Sequence, residues 1–220
     1  DIIISKFKDL VNKRKDKDYY VRGTFTSYNL DFSQDALHLY NEGFKKISIE
    51  PVVTSPEMDY ALKEEHIDNI LSEYEKFSKD YIQIKKKDKE FLFFHFMIDL
   101  NQGPCLAKRS IGCGAGSEYM AVTPKGELYP CHQFVGDEKF KLGDVFNGVS
   151  NLNLREEFKK ANVYNKEECS NCWAKYYCSG GCHANNYNTN KNILKPYKIG
   201  CEMEKKRIEC AISILANLTD

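Results

Sequence analysis

The chain has 220 residues, of which 42% are hydrophobic and 29% charged, and its 32 basic residues balance 32 acidic ones. This composition is typical of a folded globular protein that is long enough for one large domain or two small ones. Without a net charge the chain does not attract nucleic acid or an anionic membrane, so neither is expected as a partner. Its longest apolar run, residues 91–98, is interrupted by His95 and is too short to cross a membrane.

The first hundred residues alternate between helical and strand patterns, as is typical of parallel βα units. Helices are predicted around residues 3–11, 33–42 and 64–78, and strands at residues 19–26, 46–53 and 91–96. Three parallel strands with crossover helices form only part of an eight-stranded barrel. We therefore predict an α/β fold and expect further strands upstream, in a longer protein.

The periodicity stops near residues 101–104, where the chain becomes rich in Gly, Cys and short turns. This change predicts a boundary between a partial-barrel domain, residues 1–100, and a cysteine-rich α+β domain, residues 101–220. In the second domain the patterns predict a hairpin, with strands at 118–123 and 127–129, and a short helix at 154–161. A final amphipathic helix at 202–218 offers four apolar residues to a core. These are Ile208, Ala211, Ile212 and Leu215.

Nine cysteines occur in a sequence that does not open with a secretory signal pattern. We expect a cytoplasmic protein with reduced thiols, in which cysteines bind metal more often than they form disulfides. Seven of them form a tight pattern around Gly126. They are Cys113, Cys131, Cys169, Cys172, Cys178, Cys182 and Cys201.

Four of these thiols lie within fourteen residues, 169–182, and must nearly converge in space. Thiolate ligands select zinc, copper(I) or iron-sulfur clusters. Cys-x2-Cys pairs also occur in four-cysteine zinc sites, so the spacing alone leaves zinc and clusters open. The small residues Ser179, Gly180 and Gly181 allow the backbone to approach the sulfurs and to donate N–H bonds to them.

The pattern resembles the SPASM domain, the twin-cluster module at the C-terminus of radical S-adenosylmethionine enzymes that mature peptides and sulfatases. All seven cysteines and Gly126 match its motif. The likeness extends to residues 112–116 and 129–134, which are similar to those of maturases of six-cysteine peptides. Those enzymes install cysteine-derived thioether crosslinks.

The resemblance implies two auxiliary 4Fe-4S clusters with interleaved ligands. The first would be bound by Cys113, Cys131 and Cys182, and Cys105 matches an additional cysteine that completes this cluster in some relatives. In thioether-forming relatives that iron is thought to stay open for a substrate thiolate. The second cluster would be bound by four cysteines, namely Cys169, Cys172, Cys178 and Cys201.

The resemblance also implies what the intact enzyme does. A third 4Fe-4S cluster would cleave S-adenosylmethionine to give a radical. This radical would take a hydrogen atom from a carbon of a cysteine-containing precursor peptide. An electron donor or acceptor protein would be a further partner. Val52, at the end of the second predicted strand, is expected to contact the adenine, because the corresponding strand of the superfamily lies beside the adenosyl group. The Cys-x3-Cys-x2-Cys loop that holds the third cluster is absent from the 220 residues, so we expect no cleavage by this chain alone.

Two alternatives stay open at this point. The enzyme could belong to the same superfamily and act on another substrate, such as a sulfatase or the precursor of a quinone cofactor. The chain could also be a zinc-stabilised binding module.

Overall fold

The computed structural model describes residues 2–14, 18–100 and 110–219. In its first part strands alternate with helices. The elements are α1 (Ile2–Lys13), β1 (Val21–Phe25), α2 (Phe32–Asn41), β2 (Lys46–Pro51), α3 (Ile67–Lys87) and β3 (Leu92–Phe93). The three strands form a parallel sheet in the order β1-β2-β3. The predicted α/β fold is confirmed, with helices as crossovers between parallel strands.

β2 is the central strand of this sheet, and its residue Ile47 lies opposite Val21 of β1 and Phe93 of β3. The third strand is shorter than the run 91–96 had predicted. After Phe93 the chain turns into a 3-10 helix, Phe94–Phe96, which buries His95 beside the end of β2. This departure from the strand pattern therefore creates a polar contact at the carboxyl edge of the sheet.

The second part contains a small antiparallel sheet followed by helices. Its elements are β4 (Ala121–Val122), β5 (Glu127–Tyr129), β6 (Gly143–Asp144), β7 (Gly148–Val149), α4 (Leu152–Lys160), α5 (Glu167–Ser170), α6 (Lys175–Cys178), α7 (His183–Asn190) and α8 (Lys198–Leu218). The strands are ordered β4-β5-β6-β7, so each pairs with its neighbour in sequence. The sequence predicted the β4–β5 hairpin, α4 and most of α8. It did not predict β6, β7 or α7.

Each of the two parts has its own apolar core. The first lies between the parallel sheet and α3 and is dominated by aromatic rings, among them Phe25, Phe77 and Phe93. The second lies under the antiparallel sheet, where Phe134 and Phe158 pack edge to face. None of the helices in the described ranges is both long and apolar enough to cross a membrane.

α8 follows the cysteine-rich segment in sequence but packs on α3 of the first part. Met203, Cys210 and Ile214 of α8 are buried in the first core. Each apolar side chain buried in this way contributes roughly 1.5–3 kcal/mol. The sequence correctly placed Ile208 and Ala211 in a core. Ile212 was also predicted to be buried, but it is 51% exposed. Ile214 is buried in its place, because it lies on the face of the helix that meets α3.

α1 covers the helix predicted around residues 3–11. Ile3, Phe7 and Leu10 are exposed. Ile4 and Val11 pack against the first core.

A buried chain of hydrogen bonds joins α8 to the end of β2. The Nε of Arg207 donates to the hydroxyl of Tyr74 at 2.9 Å, and this hydroxyl lies 2.9 Å from Nδ1 of His95. The Nε2 of His95 lies 2.9 Å from the carboxylate of Glu50, which also accepts from Ser48 at 2.6 Å. Because the ionised carboxylate of Glu50 can only accept, Nε2 of His95 donates to it, and Nδ1 of the neutral imidazole accepts from the hydroxyl of Tyr74.

The surroundings keep this imidazole neutral and this carboxylate ionised. Burial and the charge of Arg207 lower the pKa of His95 to about 4, although the contact with Glu50 opposes them. Burial opposes ionisation of Glu50, but the hydrogen bond from His95, aided by the hydrogen bond from Ser48 and the charge of Arg207, lowers the pKa of Glu50 to about 2. The network is therefore a neutral bridge between the cation of Arg207 and the anion of Glu50.

Replacing Tyr74 with Phe should lower the free energy of unfolding by roughly 1–3 kcal/mol, because it leaves buried groups of Arg207 and His95 without their partner. Urea unfolding of the two proteins measures the difference. Tyr81→Phe on the same helix is the matched control. Its hydroxyl donates to the carbonyl of Phe91 at 3.3 Å, and this carbonyl also accepts a hydrogen bond from Nζ of Lys85. An equal loss in both variants would contradict the proposed importance of the network.

The stability of the protein should fall as the pH drops below about 6.5. The unfolded chain then binds a proton at His95 that the folded protein excludes down to about pH 4. This group alone costs up to roughly 1.4 kcal/mol per pH unit in that window. His95→Gln should show a smaller loss of unfolding free energy than the parent between pH 7.5 and 5.5. Identical pH dependence in the two proteins would refute the assignment.

Candidate functional site

The eight cysteines in the described part of the chain are all free thiols. They are the seven of the motif and Cys210, which is buried. Cys105 lies outside the described residues. The absence of disulfides among the described cysteines leaves every motif sulfur available as a ligand.

The first group of thiols contains Cys113, Cys131 and Cys182. Cys113 lies in the glycine-rich turn before β4. Cys131 lies two residues after the end of β5, and Cys182 is the N-cap residue of α7. Burial raises the pKa of Cys131, and the nearby thiols of Cys182 and Cys113 raise it further. Burial, together with the nearby thiols of Cys113 and Cys131, raises the pKa of Tyr119. Residues far apart in sequence are thus brought to one place.

Cys113 and Cys182 are the exposed members of this group. Desolvation of the Cys182 thiol raises its pKa, and the nearby Cys113 raises it further. The backbone N–H groups of Ala184 and Asn185 lower the same pKa because they stabilise a thiolate.

The second group contains the remaining four motif cysteines. Cys169 lies in α5, Cys172 follows it, Cys178 ends α6, and Cys201 lies in the first turn of α8. Burial raises the pKa of Cys201 to about 12, and the other three thiols contribute to that rise. Cys201 is therefore brought from a distant helix to the other members of the group.

A cavity of about 650 Å³ opens beside the second group. Cys169, Cys172 and Cys201 line this cavity together with Val52 and Leu62 of the first part. Val52 sits at the carboxyl end of the sheet, where its N–H donates to the carbonyl of Phe25 at 2.9 Å. The predicted adenine contact of Val52 stays a prediction.

The donor chemistry of both groups fits an iron-sulfur cluster, since thiolates are its usual ligands. Within the described ranges, no three His, Cys, Asp or Glu side chains converge closely enough to hold one metal ion. A four-cysteine zinc site needs bonds of about 2.3 Å to a common centre. The described thiols are not gathered in that way.

Histidines and one lysine near the thiols have distinct environments. His183 is 2% exposed and stacks on Phe158 with ring centroids 5.6 Å apart, which supports a packing role. His132 is exposed. Lys175 donates to the carbonyl of Ser170 at 2.6 Å.

Sequence reasoning missed two residues at this site. Tyr119 contacts the first group of thiols, and Lys166 is completely buried among the thiols of both groups. Burial lowers the pKa of Lys166, and the charges of Cys169 and Cys178 are the next largest influences on it and act in the opposite direction. A lysine three residues before a cysteine carries no recognisable signal, because only the fold shows its burial.

Comparison with known proteins identifies the cysteine-rich part. Residues 113–173 match SPASM, described as an iron-sulfur cluster-binding domain. An uncharacterized protein of Archaeoglobus fulgidus is 33% identical over 108 residues, 47% of this chain and 25% of that protein. The antilisterial bacteriocin subtilosin biosynthesis protein AlbA of Bacillus subtilis is 33% identical over 95 residues, 40% of this chain and 20% of that protein. The matched segments are thus at most a quarter of the curated relatives.

Solved structures match over almost the whole chain. A structure of anSMEcpe with bound AdoMet superposes with a TM-score of 0.68, at 18% identity, over 98% of this chain and 59% of that one. A structure of native anSMEcpe with bound AdoMet and the Kp18Cys peptide gives the same TM-score, at 19% identity, over 97% and 60%. Residues 113–173 therefore match a SPASM domain, and the chain as a whole has the fold of the corresponding part of anSMEcpe.

Proposed function

We propose that the chain is the C-terminal portion of a radical S-adenosylmethionine enzyme that forms cysteine-derived thioether crosslinks in a ribosomal peptide. In this proposal residues 1–100 are the end of the partial barrel and residues 101–220 the auxiliary-cluster domain. The observation that carries it is the separation of the seven motif thiols into two groups, each assembled from distant parts of the chain.

Each group of thiols would bind one 4Fe-4S cluster. Cys113, Cys131 and Cys182 supply three ligands to the first cluster, and its fourth position is either filled by Cys105 or open to a substrate thiolate. The second group supplies four thiols, which leaves no position for a substrate. When bound, the clusters would offer a site for substrate sulfur and an acceptor for one electron.

The residues around the first group suit a substrate thiol. Cys113 and Cys182 are exposed to solvent, so a peptide could approach the cluster from that side. Tyr119, 42% exposed, can donate its hydroxyl hydrogen to sulfur and stabilise a thiolate. These features favour the first group as the substrate side and the second, with its four protein ligands, as an electron relay.

The comparisons support a peptide substrate. The name of AlbA concerns the biosynthesis of the bacteriocin subtilosin, and solved anSMEcpe structures carry AdoMet with Kp18Cys or Cp18Cys peptides. By analogy, the partners here would be a cysteine-containing precursor peptide, S-adenosylmethionine with a third 4Fe-4S cluster in the intact enzyme, and an electron donor or acceptor protein. The same likeness to anSMEcpe keeps a different cysteine-containing substrate as the second candidate.

The two-cluster assignment predicts selective loss of iron. Anaerobically prepared protein should hold about eight irons and equal sulfide per chain. Cys131→Ala and Cys169→Ala should each retain about four irons, because each disrupts one group. Cys210→Ala is the matched control, since Cys210 lies in the first core outside both groups, and it should keep all eight. Zinc without sulfide, or loss of all iron in both variants, would contradict the assignment.

The thioether assignment predicts a specific product. The full-length enzyme, incubated with its precursor peptide and S-adenosylmethionine under reducing conditions, should give a peptide lighter by two hydrogens per crosslink. One cysteine per crosslink should also become resistant to alkylation by iodoacetamide, as mass spectrometry would show. A product in which the cysteine has lost its sulfur would instead support the second candidate.

A further inference from the structure

Lys166 is buried without a carboxylate partner. Its side chain has no solvent exposure, and none of the salt bridges among the described residues involves it. Lysines are almost never fully buried unless they are paired, because an ammonium loses its hydration in the interior. A charged Lys166 therefore needs a nearby anion, and no Asp or Glu in the described part of the chain pairs with it.

The ammonium of Lys166 is held at the segment that joins the two groups of thiols. Its Nζ donates to the carbonyl of Gly180 at 2.6 Å, and Gly180 lies midway between Cys178 and Cys182. The backbone of Lys166 is fixed as well, since its carbonyl accepts from the N–H of Cys169 at 3.0 Å. The charge is thus anchored by hydrogen bonds close to members of both groups.

The missing anion follows from the chemistry of the thiols. A cysteine that binds iron does so as a thiolate, and a four-thiolate cluster carries net negative charge. Thiols of both groups, Cys169, Cys178 and Cys201 of the second and Cys182 of the first, interact with the charge of Lys166. Binding of clusters would therefore give the buried ammonium its counter-ions.

We propose that Lys166 is a counter-charge shared by the two auxiliary clusters, which raises the reduction potential of both. This inference rests on the cluster ligation proposed above. Reduction adds an electron to a centre that is already negative, and a fixed cation nearby stabilises the reduced state more than the oxidised one. The effect is strong in a buried site, where charges are poorly screened.

The test compares Lys166→Met with Lys205→Met in anaerobically purified protein. Lys205 is 32% exposed, pairs with Glu202 at 2.8 Å and lies near Cys172 and Cys201 of the second group. The readout is the pair of midpoint potentials from a dithionite titration monitored by electron paramagnetic resonance. Lys166→Met should lower both potentials, whereas Lys205→Met should leave the potential of the first cluster unchanged.

The remaining outcomes also decide between the proposal and its alternatives. Full iron content with unchanged potentials in Lys166→Met would overturn the proposal. If Lys166→Met takes up no iron, Lys166→Arg is the second variant. Iron retained in Lys166→Arg supports a requirement for positive charge at this position. Iron lost from both variants overturns the proposal and indicates a purely steric role for Lys166. Failure of the cluster assignment is distinguishable, because the parent protein itself would then lack iron and sulfide.

Discussion

The constraint on which the site depends is the short connection between Cys178 and Cys182. Only Ser179, Gly180 and Gly181 separate the two cysteines, yet they belong to different groups of thiols. All three intervening residues have positive φ, at 60°, 90° and 72°, so the chain reverses sharply there. Glycine adopts this conformation without strain, and Lys166 secures the reversal by binding the carbonyl of Gly180.

The second group is also tied to the parallel sheet through α8. Cys201 lies at the start of that helix, and later residues of the same helix pack on α3 in the first core. Arg207, near the middle of α8, continues the connection through Tyr74 and His95 to Glu50 at the end of β2. A packed helix and a buried polar chain thus fix one group of thiols relative to the edge of the sheet. The cysteine-rich part is consequently not an independent appendage.

Much of this fold could be predicted because it depends on local patterns. Periodicity identified the parallel strands and the long helices, and cysteine spacing identified the SPASM domain. The misses have physical causes. β6 and β7 are two residues each, too short for a period, and the end of the 91–96 run leaves the strand because His95 turns toward Glu50. Burial of Lys166 and exposure of Ile212 depend on tertiary packing, which overrides the usual preference of each residue type.

The central claim is that two iron clusters lie on either side of the Cys178–Cys182 connection. Diffraction from anaerobically grown crystals, measured on both sides of the iron absorption edge, tests it most directly. The account predicts two separate peaks of anomalous density, one at Cys113, Cys131 and Cys182 and one at the four thiols of the second group. Lys166 should lie between the two peaks. A single peak, or peaks that appear only at the zinc edge, would contradict the account.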